Sequence, residues 1–287
     1  MTRYALNPAT PVLSRPDGVV QVGWNPRSAV LVRPPSGMTT TALGELLHVL
    51  QTGATIAEVQ GVADGVDPAT VAGLLAALVD AGVLTATPGR SVRSASIRIH
   101  GRGPLSDLLA SALRCSGARI KQSRQPHASP PAETTDLVVL ADSLVADPRV
   151  LRDLHAAGTP HLPVHVRDGA GLVGPLVVPG VTSCLRCADL HRSDRDAHWP
   201  AVAAQLRDTV GTADRATVLA TAAVALNQVD RVIAAVRAGM AVCDIDHAPN
   251  PPSTVNTTLE FDVNTGSTVA RRWTRHPRCT ECSGCHG

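Results

Sequence analysis

Two Cys-x-x-Cys pairs carry the clearest chemistry in this chain. Cys184-Leu-Arg-Cys187 and Cys279-Thr-Glu-Cys282 each place two thiols on one tight knuckle. Two such knuckles supply the four sulfurs of a closed tetrahedral zinc site, here Cys184, Cys187, Cys279 and Cys282. A structural Zn2+ is therefore expected, tying the end of the chain back to its middle. Cys285 extends the second pair into an evenly spaced run of three cysteines, which leaves an iron–sulfur centre as the competing chemistry. No open ligand position is evident for a catalytic metal, and His286 reads as a terminal residue outside the site. Cys115 and Cys243 read as small core residues.

The second chemical signal is Gly101-Arg-Gly103-Pro-Leu-Ser106, after an apolar strand pattern and before an apolar helix pattern. Gly101 and Gly103 fit the first two glycines of a dinucleotide-type turn, and Ser106 stands where the third belongs. Asp142 ends the run Asp136-Leu-Val-Val-Leu-Ala-Asp142 and falls at the carboxyl edge of a sheet, where such folds bind ligands. The nucleotide signal is weak, and a tight strand-to-helix turn without a ligand is the plainer reading of the glycines. His191, Asp196 and His198 read as scattered surface residues after the first knuckle.

These residues need elements to hold them. The second part of the chain alternates strand and helix patterns: Ile97–His100, a helix to Cys115, Ala118–Ile120, Asp136–Leu140, a helix over 147–157, and Pro160–Val166. That order predicts an α/β doubly wound, mostly parallel sheet. Gly171–Val178 reads as an antiparallel continuation, Thr212–Gly239 as a long Ala-rich helix, and Thr254–Asp262 with Ser267–Trp273 as a hairpin around Asn264-Thr-Gly266. The first part is different. Short strands over Pro11–Arg15, Val19–Trp24 and Ala29–Arg33 precede three helix patterns. Thr55-Ile-Ala-Glu58 forms a capping box, and Asp67-Pro68 opens the third helix. Val83-Leu84 then returns as a wing. The boundaries are 1–87 for a small α+β winged-helix domain, 88–96 for a Ser/Pro/Gly linker and 97–287 for the zinc-bearing domain.

Composition narrows the function. Hydrophobic residues make up 44% and charged residues 17% of 287, so the chain is not disordered. Aromatics are 2%, five residues in all, which argues against a platform that stacks single-stranded bases. The net charge is +2, and the third helix pattern, Pro68–Ala81, contains no Arg or Lys. A groove-reading helix needs such donors, so no nucleic acid is expected. Lys121 is the sole lysine and hence the sole candidate for a phosphate lysine. The start lacks the apolar run of a signal peptide, and the apolar stretch Ala216–Leu226 is short and followed by Asn227, Gln228, Asp230 and Arg231. A cytoplasmic protein with no membrane partner is expected.

Taken together, residues 97–287 resemble the ThiF/MoeB superfamily of ubiquitin-activating-like adenylating enzymes. The Gly-rich turn, the run to Asp142, both cysteine pairs and the long helix carry the likeness. The segment from Gly174 through Cys184 and Cys187 to Trp199-Pro200 is similar to the branch that partners cyclodehydratases in making thiazole/oxazole-modified peptides (ribosomal natural products). Residues 4–87 resemble the PqqD-like peptide-recognition element of that branch. The resemblance implies a scaffold that binds the leader of a precursor peptide and presents it to a YcaO-type, ATP-dependent cyclodehydratase. Related folds pair up, so a homodimer is compatible with it. Adenylating members carry an Asn/Arg/Gln-containing helix and a phosphate lysine between the second and third strands. Here only Lys121–Thr135 joins them, with Pro126, Pro130 and Pro131 inside. That implies a vestigial nucleotide pocket at Gly101, Gly103 and Asp142, no bound ATP and no catalytic residue. The alternatives are an active adenylating enzyme acting on the C-terminus of a sulfur-carrier or ubiquitin-like protein, and an orphan regulatory relative.

Overall fold

The computed structural model describes residues 1–63, 65–87, 93–124, 135–207 and 209–283. The chain divides into two compact units, Met1–Ser91 and Val92–Gly287. Most of the expected linker (88–92), the proline-rich stretch 125–134, Cys285 and His286 lie outside the described residues.

The first unit contains β1 (Arg3–Leu6), β2 (Val12–Ser14), β3 (Val20–Val22), β4 (Val30–Val32), α1 (Thr40–Gln51), β5 (Ala54–Thr55), α2 (Ile56–Val62), α3 (Pro68–Asp80) and β6 (Leu84–Thr87). The strands form two antiparallel sheets, β2-β3-β4 and β5-β1-β6. β1 was not expected, because its four residues, Arg-Tyr-Ala-Leu, offer too little pattern. It takes both β5 and the returning strand β6 as neighbours. The capping box forms: the Glu58 N–H donates to Thr55 Oγ1 at 3.3 Å and the Thr55 N–H to the Glu58 carboxylate at 2.7 Å. Asp67 caps α3 through the Thr70 N–H at 3.1 Å, with Pro68 in the first turn. The core is aliphatic, as so few aromatics require. Leu43, Leu46, Leu47 and Leu50 of α1 are fully buried against Val20, Val71 and Leu75, and each such leucine contributes about 2 kcal/mol of burial.

The second unit contains β7 (Ser96–His100), α4 (Pro104–Ala112), β8 (Arg119–Ser123), β9 (Leu137–Ala141), α5 (Pro148–Ala156), β10 (His161–Arg167), β11 (Ala170–Val173), α6 (Leu185–Arg195), α7 (Trp199–Leu206), α8 (Arg215–Arg237), β12 (Thr257–Asp262), β13 (Ser267–Arg272) and α9 (Thr280–Ser283). Seven strands form one mixed sheet in the order β13-β12-β11-β10-β9-β7-β8. β8, β7, β9 and β10 run parallel, and β11, β12 and β13 continue antiparallel. β9 reads Leu-Val-Val-Leu-Ala and is buried throughout, as a central parallel strand must be.

α8 is long and apolar enough, by length and composition, to cross a bilayer. The helix expected over Thr212–Gly239 is found at these bounds within a few residues, but its apolar character extends beyond the short stretch Ala216–Leu226. In the fold it lies along the sheet, with Ala225, Val229, Val232 and Val236 buried in the same core as Val164, Val173 and Phe261. Gly171 makes this closeness possible: a Cβ there would stand 2.3 Å from Thr221 Oγ1 and 2.5 Å from Phe261. Cys115 and Cys243 are exposed rather than core residues, because each sits in a short 3-10 turn that follows a helix or loop at the surface.

Candidate functional site

The two knuckles meet. Cys184 caps the N-terminus of α6 and Cys187 sits in its first turn, while Cys279 and Cys282 bracket the start of α9. The segment before the first knuckle is anchored by Asn256, whose side-chain oxygen accepts from the Ser183 N–H at 2.7 Å and the Ser183 hydroxyl at 2.9 Å. Trp273, ahead of the second knuckle, is buried and donates its indole N–H to Thr258 Oγ1 at 2.9 Å. The sulfurs stand 3.7 Å (Cys184–Cys187), 3.6 Å (Cys184–Cys279) and 3.5 Å (Cys187–Cys282) apart, and all four lie within 4.8 Å of one another. A disulfide needs about 2.05 Å. Four sulfurs around one zinc ion at about 2.3 Å stand about 3.8 Å apart. Four buried cysteines thus lie close enough to hold a metal ion, and the donor set fits zinc. Burial pushes the Cys184 thiol far above its ordinary range and the Cys282 thiol up to about 12. At Cys187 burial is again the largest influence and pushes upward, but hydrogen bonds from the His276 and Cys184 backbone and from the Cys282 and Cys279 thiols together hold its thiol lower.

His276 and Asp194 brace the second knuckle, and the sequence alone did not single them out. The Arg278 N–H donates to His276 Nδ1 at 3.1 Å, so Nε2 carries the proton and donates it to Asp194 at 2.8 Å. Arg278 also pairs with Asp194. These bonds hold the Asp194 carboxyl below the usual range, the His276 hydrogen bond most. The His276 carbonyl accepts the Cys279 N–H at 2.9 Å. His191 also comes close, its ring centroid 4.8 Å from that of His276. Asp196 instead accepts from the His198 N–H at the start of α7. Nearby, Arg192 is held by Asp189 at 2.8 Å and lies 5.1 Å from the Trp199 ring and 5.0 Å from the Trp273 ring. His161 is fully buried, bonded through Nδ1 to the Thr159 carbonyl at 3.1 Å, and burial lowers its pKa to about 4.

Gly101, Gly103 and Asp142 also come together, in a manner the sequence did not reveal. Asp142 is 1% exposed. Its carboxylate accepts the Leu105 N–H at 2.9 Å and the Ser106 N–H at 3.3 Å. Those are the free donors at the N-terminus of α4, the groups that would face a phosphate. A Cβ on Gly103 would lie 2.7 Å from Asp142 Oδ1, and one on Gly101 2.9 Å from Oδ2. The backbone of Asp142 is left-handed (φ 75°). Its N–H donates to the Val164 carbonyl at 2.9 Å, and its own carbonyl accepts from Gly211 at 3.0 Å. The segment around Val210 pairs with Ser143 across this edge. The helix start is therefore capped by a side chain of the chain itself. Two arginines stand at the rim, and both are engaged: Arg124 with Asp107 at 2.7 Å, and Arg102 with the Arg124 carbonyl at 3.4 Å. Lys121 lies on β8, in register with Arg98.

No family model matches the chain, and no curated protein matches it. Solved structures do. The chain overlays a heterocyclase in complex with substrate and cofactor with a TM-score of 0.65 at 16% identity, covering 98% of this chain and 40% of that one. It overlays the heterocyclase TruD with a TM-score of 0.61 at 19% identity, covering 98% and 43%. Against E. coli MccB with ATP the TM-score is 0.58 at 12% identity, covering 98% of this chain and 99% of that one. Both units thus share their fold with heterocyclases and with MccB. The chain spans about two fifths of the heterocyclase chains.

Proposed function

We propose that this protein is a leader-binding scaffold for heterocycle formation in a ribosomal peptide. The first unit, Met1–Ser91, serves as a PqqD-like, winged-helix peptide-recognition domain. The second serves as a ThiF/MoeB-like docking domain whose integrity rests on structural zinc at Cys184, Cys187, Cys279 and Cys282. The observation that carries this reading is the Asp142 carboxylate on the N-terminus of α4. Adenylation requires that triphosphate oxygens reach backbone donors and cations. Here the donors are taken by a fixed negative charge, which also repels phosphate. The fold is retained over 98% of the chain while this turn is filled from within. Gly101, Gly103 and Asp142 are accordingly assigned as a vestigial nucleotide pocket.

The heterocyclase chains extend well past the region this chain matches. In this proposal the leader is presented to a YcaO-type cyclodehydratase, which uses ATP to close Cys, Ser or Thr side chains onto the preceding carbonyl. Binding the leader here raises the effective concentration of the substrate at that partner. The test is titration of the purified full-length protein with the leader half of a short precursor encoded beside its gene. Saturable binding, and stimulation of the partner's turnover by this chain, are the expected results. The absence of both defeats the proposal.

A second reading is favoured by the end-to-end overlay on MccB with ATP: an active adenylating enzyme for a peptide or carrier-protein C-terminus. It requires Asp142 to leave the helix start and admit ATP.

A further inference from the structure

A second group of metal-ligating side chains adjoins the four-cysteine cluster and shares a sulfur with it. His155, Cys184 and Glu281 offer three donor atoms that all lie within 4.8 Å of one another. α5 supplies His155 from its last turn, and α9 supplies Glu281 from between Cys279 and Cys282. Cys184 is buried, while His155 and Glu281 are half-buried. The group thus has a dry side against the cluster and a wet side toward solvent.

The hydrogen bonds around the histidines decide which nitrogens are available. His155 Nδ1 stands 3.3 Å from the Leu151 carbonyl. A carbonyl can only accept, so Nδ1 carries the hydrogen and Nε2 keeps its lone pair. A metal-ligating histidine has this arrangement, its other ring nitrogen donating to a carbonyl that fixes the tautomer and the ring. Among the described residues neither His155 Nε2 nor the Glu281 carboxylate has a hydrogen bond. His161 repeats the pattern. Its Nδ1 faces the Thr159 carbonyl at 3.1 Å, and its buried Nε2 has no partner. The His155 and His161 rings meet edge to face with centroids 5.6 Å apart. The group His191, Asp194 and His276 is equally compact, but its nitrogens are spent as donors. His276 Nε2 holds its proton on Asp194, and His191 Nε2 faces the Thr274 carbonyl at 3.1 Å.

Charge points the same way. One divalent ion among four thiolates leaves two negative charges in a buried setting, which is costly without a counter-charge. A second divalent ion that also takes up the Glu281 carboxylate leaves one.

We propose that a second zinc ion sits beside the first, held by the Cys184 sulfur as a bridge, by His155 Nε2 and by the Glu281 carboxylate, with water in its fourth position. This rests on the four-cysteine zinc reading and is independent of peptide binding. Sulfur, imidazole and carboxylate are all zinc ligands, and three protein ligands leave one position of the tetrahedron open. A metal-bound water there is the donor that His161 Nε2 lacks. The second ion is the weaker of the two, because its sulfur is shared and its other ligands are half-exposed.

The test dialyses the full-length protein against a zinc buffer, counts bound zinc by mass spectrometry, and then withdraws it with a chromophoric zinc indicator. The native chain is expected to hold two ions that leave in two steps. His155→Ala and Glu281→Gln should each weaken the second ion by more than about tenfold and leave the first in place. Both variants should keep the cooperative melting of the second unit. Glu281→Gln preserves size, so it separates loss of a ligand from loss of the fold. A single ion in the native chain, or two ions held undiminished in either variant, overturns the proposal while leaving the four-cysteine site intact. No zinc at all overturns the four-cysteine reading with it.

Discussion

The four-cysteine cluster and the Gly101–Gly103 turn are built on the same device, a helix N-terminus facing anionic side chains, and they end in opposite states. At α6 the helix start receives Cys184 and Cys187, and α9 adds Cys279 and Cys282. Three sulfur pairs stand 3.5–3.7 Å apart, and as thiolates four such groups would repel one another strongly in a buried setting. Burial pushes the Cys184 and Cys282 thiols up, so all four can ionise together only around a cation. At α4 a single carboxylate meets the Leu105 and Ser106 N–H groups, and the Ser106 hydroxyl closes a hydrogen-bonded loop on Gly103. That region is complete without any ligand. A cluster that needs a partner marks where the chain depends on its surroundings. A cluster satisfied from within keeps its shape without one.

The largest effect should come from breaking the first region. Cys184→Ser or Cys279→Ser removes a metal ligand and leaves the others buried and uncompensated. The second unit is expected to lose most of the ~5–15 kcal/mol that keeps a domain folded. Its cooperative melting should vanish while zinc content, measured by mass spectrometry, falls to background. A strong chelator should do the same to the unmodified protein, and an unchanged melting curve would remove the metal from the account. Because thiolates are the ligands, protons compete with the metal. Zinc release should rise as pH falls, followed with a chromophoric zinc indicator.

A middle-sized effect separates the two regions. Gly103→Ala places a methyl group 2.7 Å from Asp142 Oδ1, an overlap expected to cost about 1–3 kcal/mol in a denaturant titration. In an Asp142→Gly background the same change should cost much less, because the clashing atoms are gone. Equal costs in the two backgrounds would mean that Asp142 does not fill the turn. Asp142→Gly alone loses the cap on α4, worth about 1–2 kcal/mol, offset in part by relief of the left-handed backbone.

The smallest effect concerns the brace. Asp194→Asn removes a carboxylate whose pKa is lowered on folding. A depressed folded pKa contributes stability above the carboxyl's unfolded pKa and loses it as pH falls through the folded one. The variant's deficit in melting temperature should therefore be present at neutral pH and shrink in acid. A deficit independent of pH would assign Asp194 a packing role only.

Both knuckles were legible in the sequence because a Cys-x-x-Cys spacing is a local constraint, visible without the fold. So were the capping box at Thr55–Glu58, the buried run into Asp142 and the hairpin of β12 and β13, each set by neighbouring residues. β1 was not legible, since Arg3–Leu6 is a strand only because β5 and β6 arrive beside it. The occupancy of the α4 start was also hidden. Gly101 and Gly103 look alike whether a phosphate or a carboxylate approaches them, and Asp142 reaches the helix from 36 residues away in sequence. The His276–Asp194 brace was missed for the same reason, as two residues 82 apart meet through the fold.

ATP–pyrophosphate exchange by the zinc-loaded protein, with magnesium and candidate peptide present, tests the central claim most directly. The account predicts no exchange above background, in the native chain and in the Asp142→Ala variant alike. Robust exchange in the native chain that disappears on Asp142→Ala would contradict it, since Asp142 would then serve a bound nucleotide and not the helix.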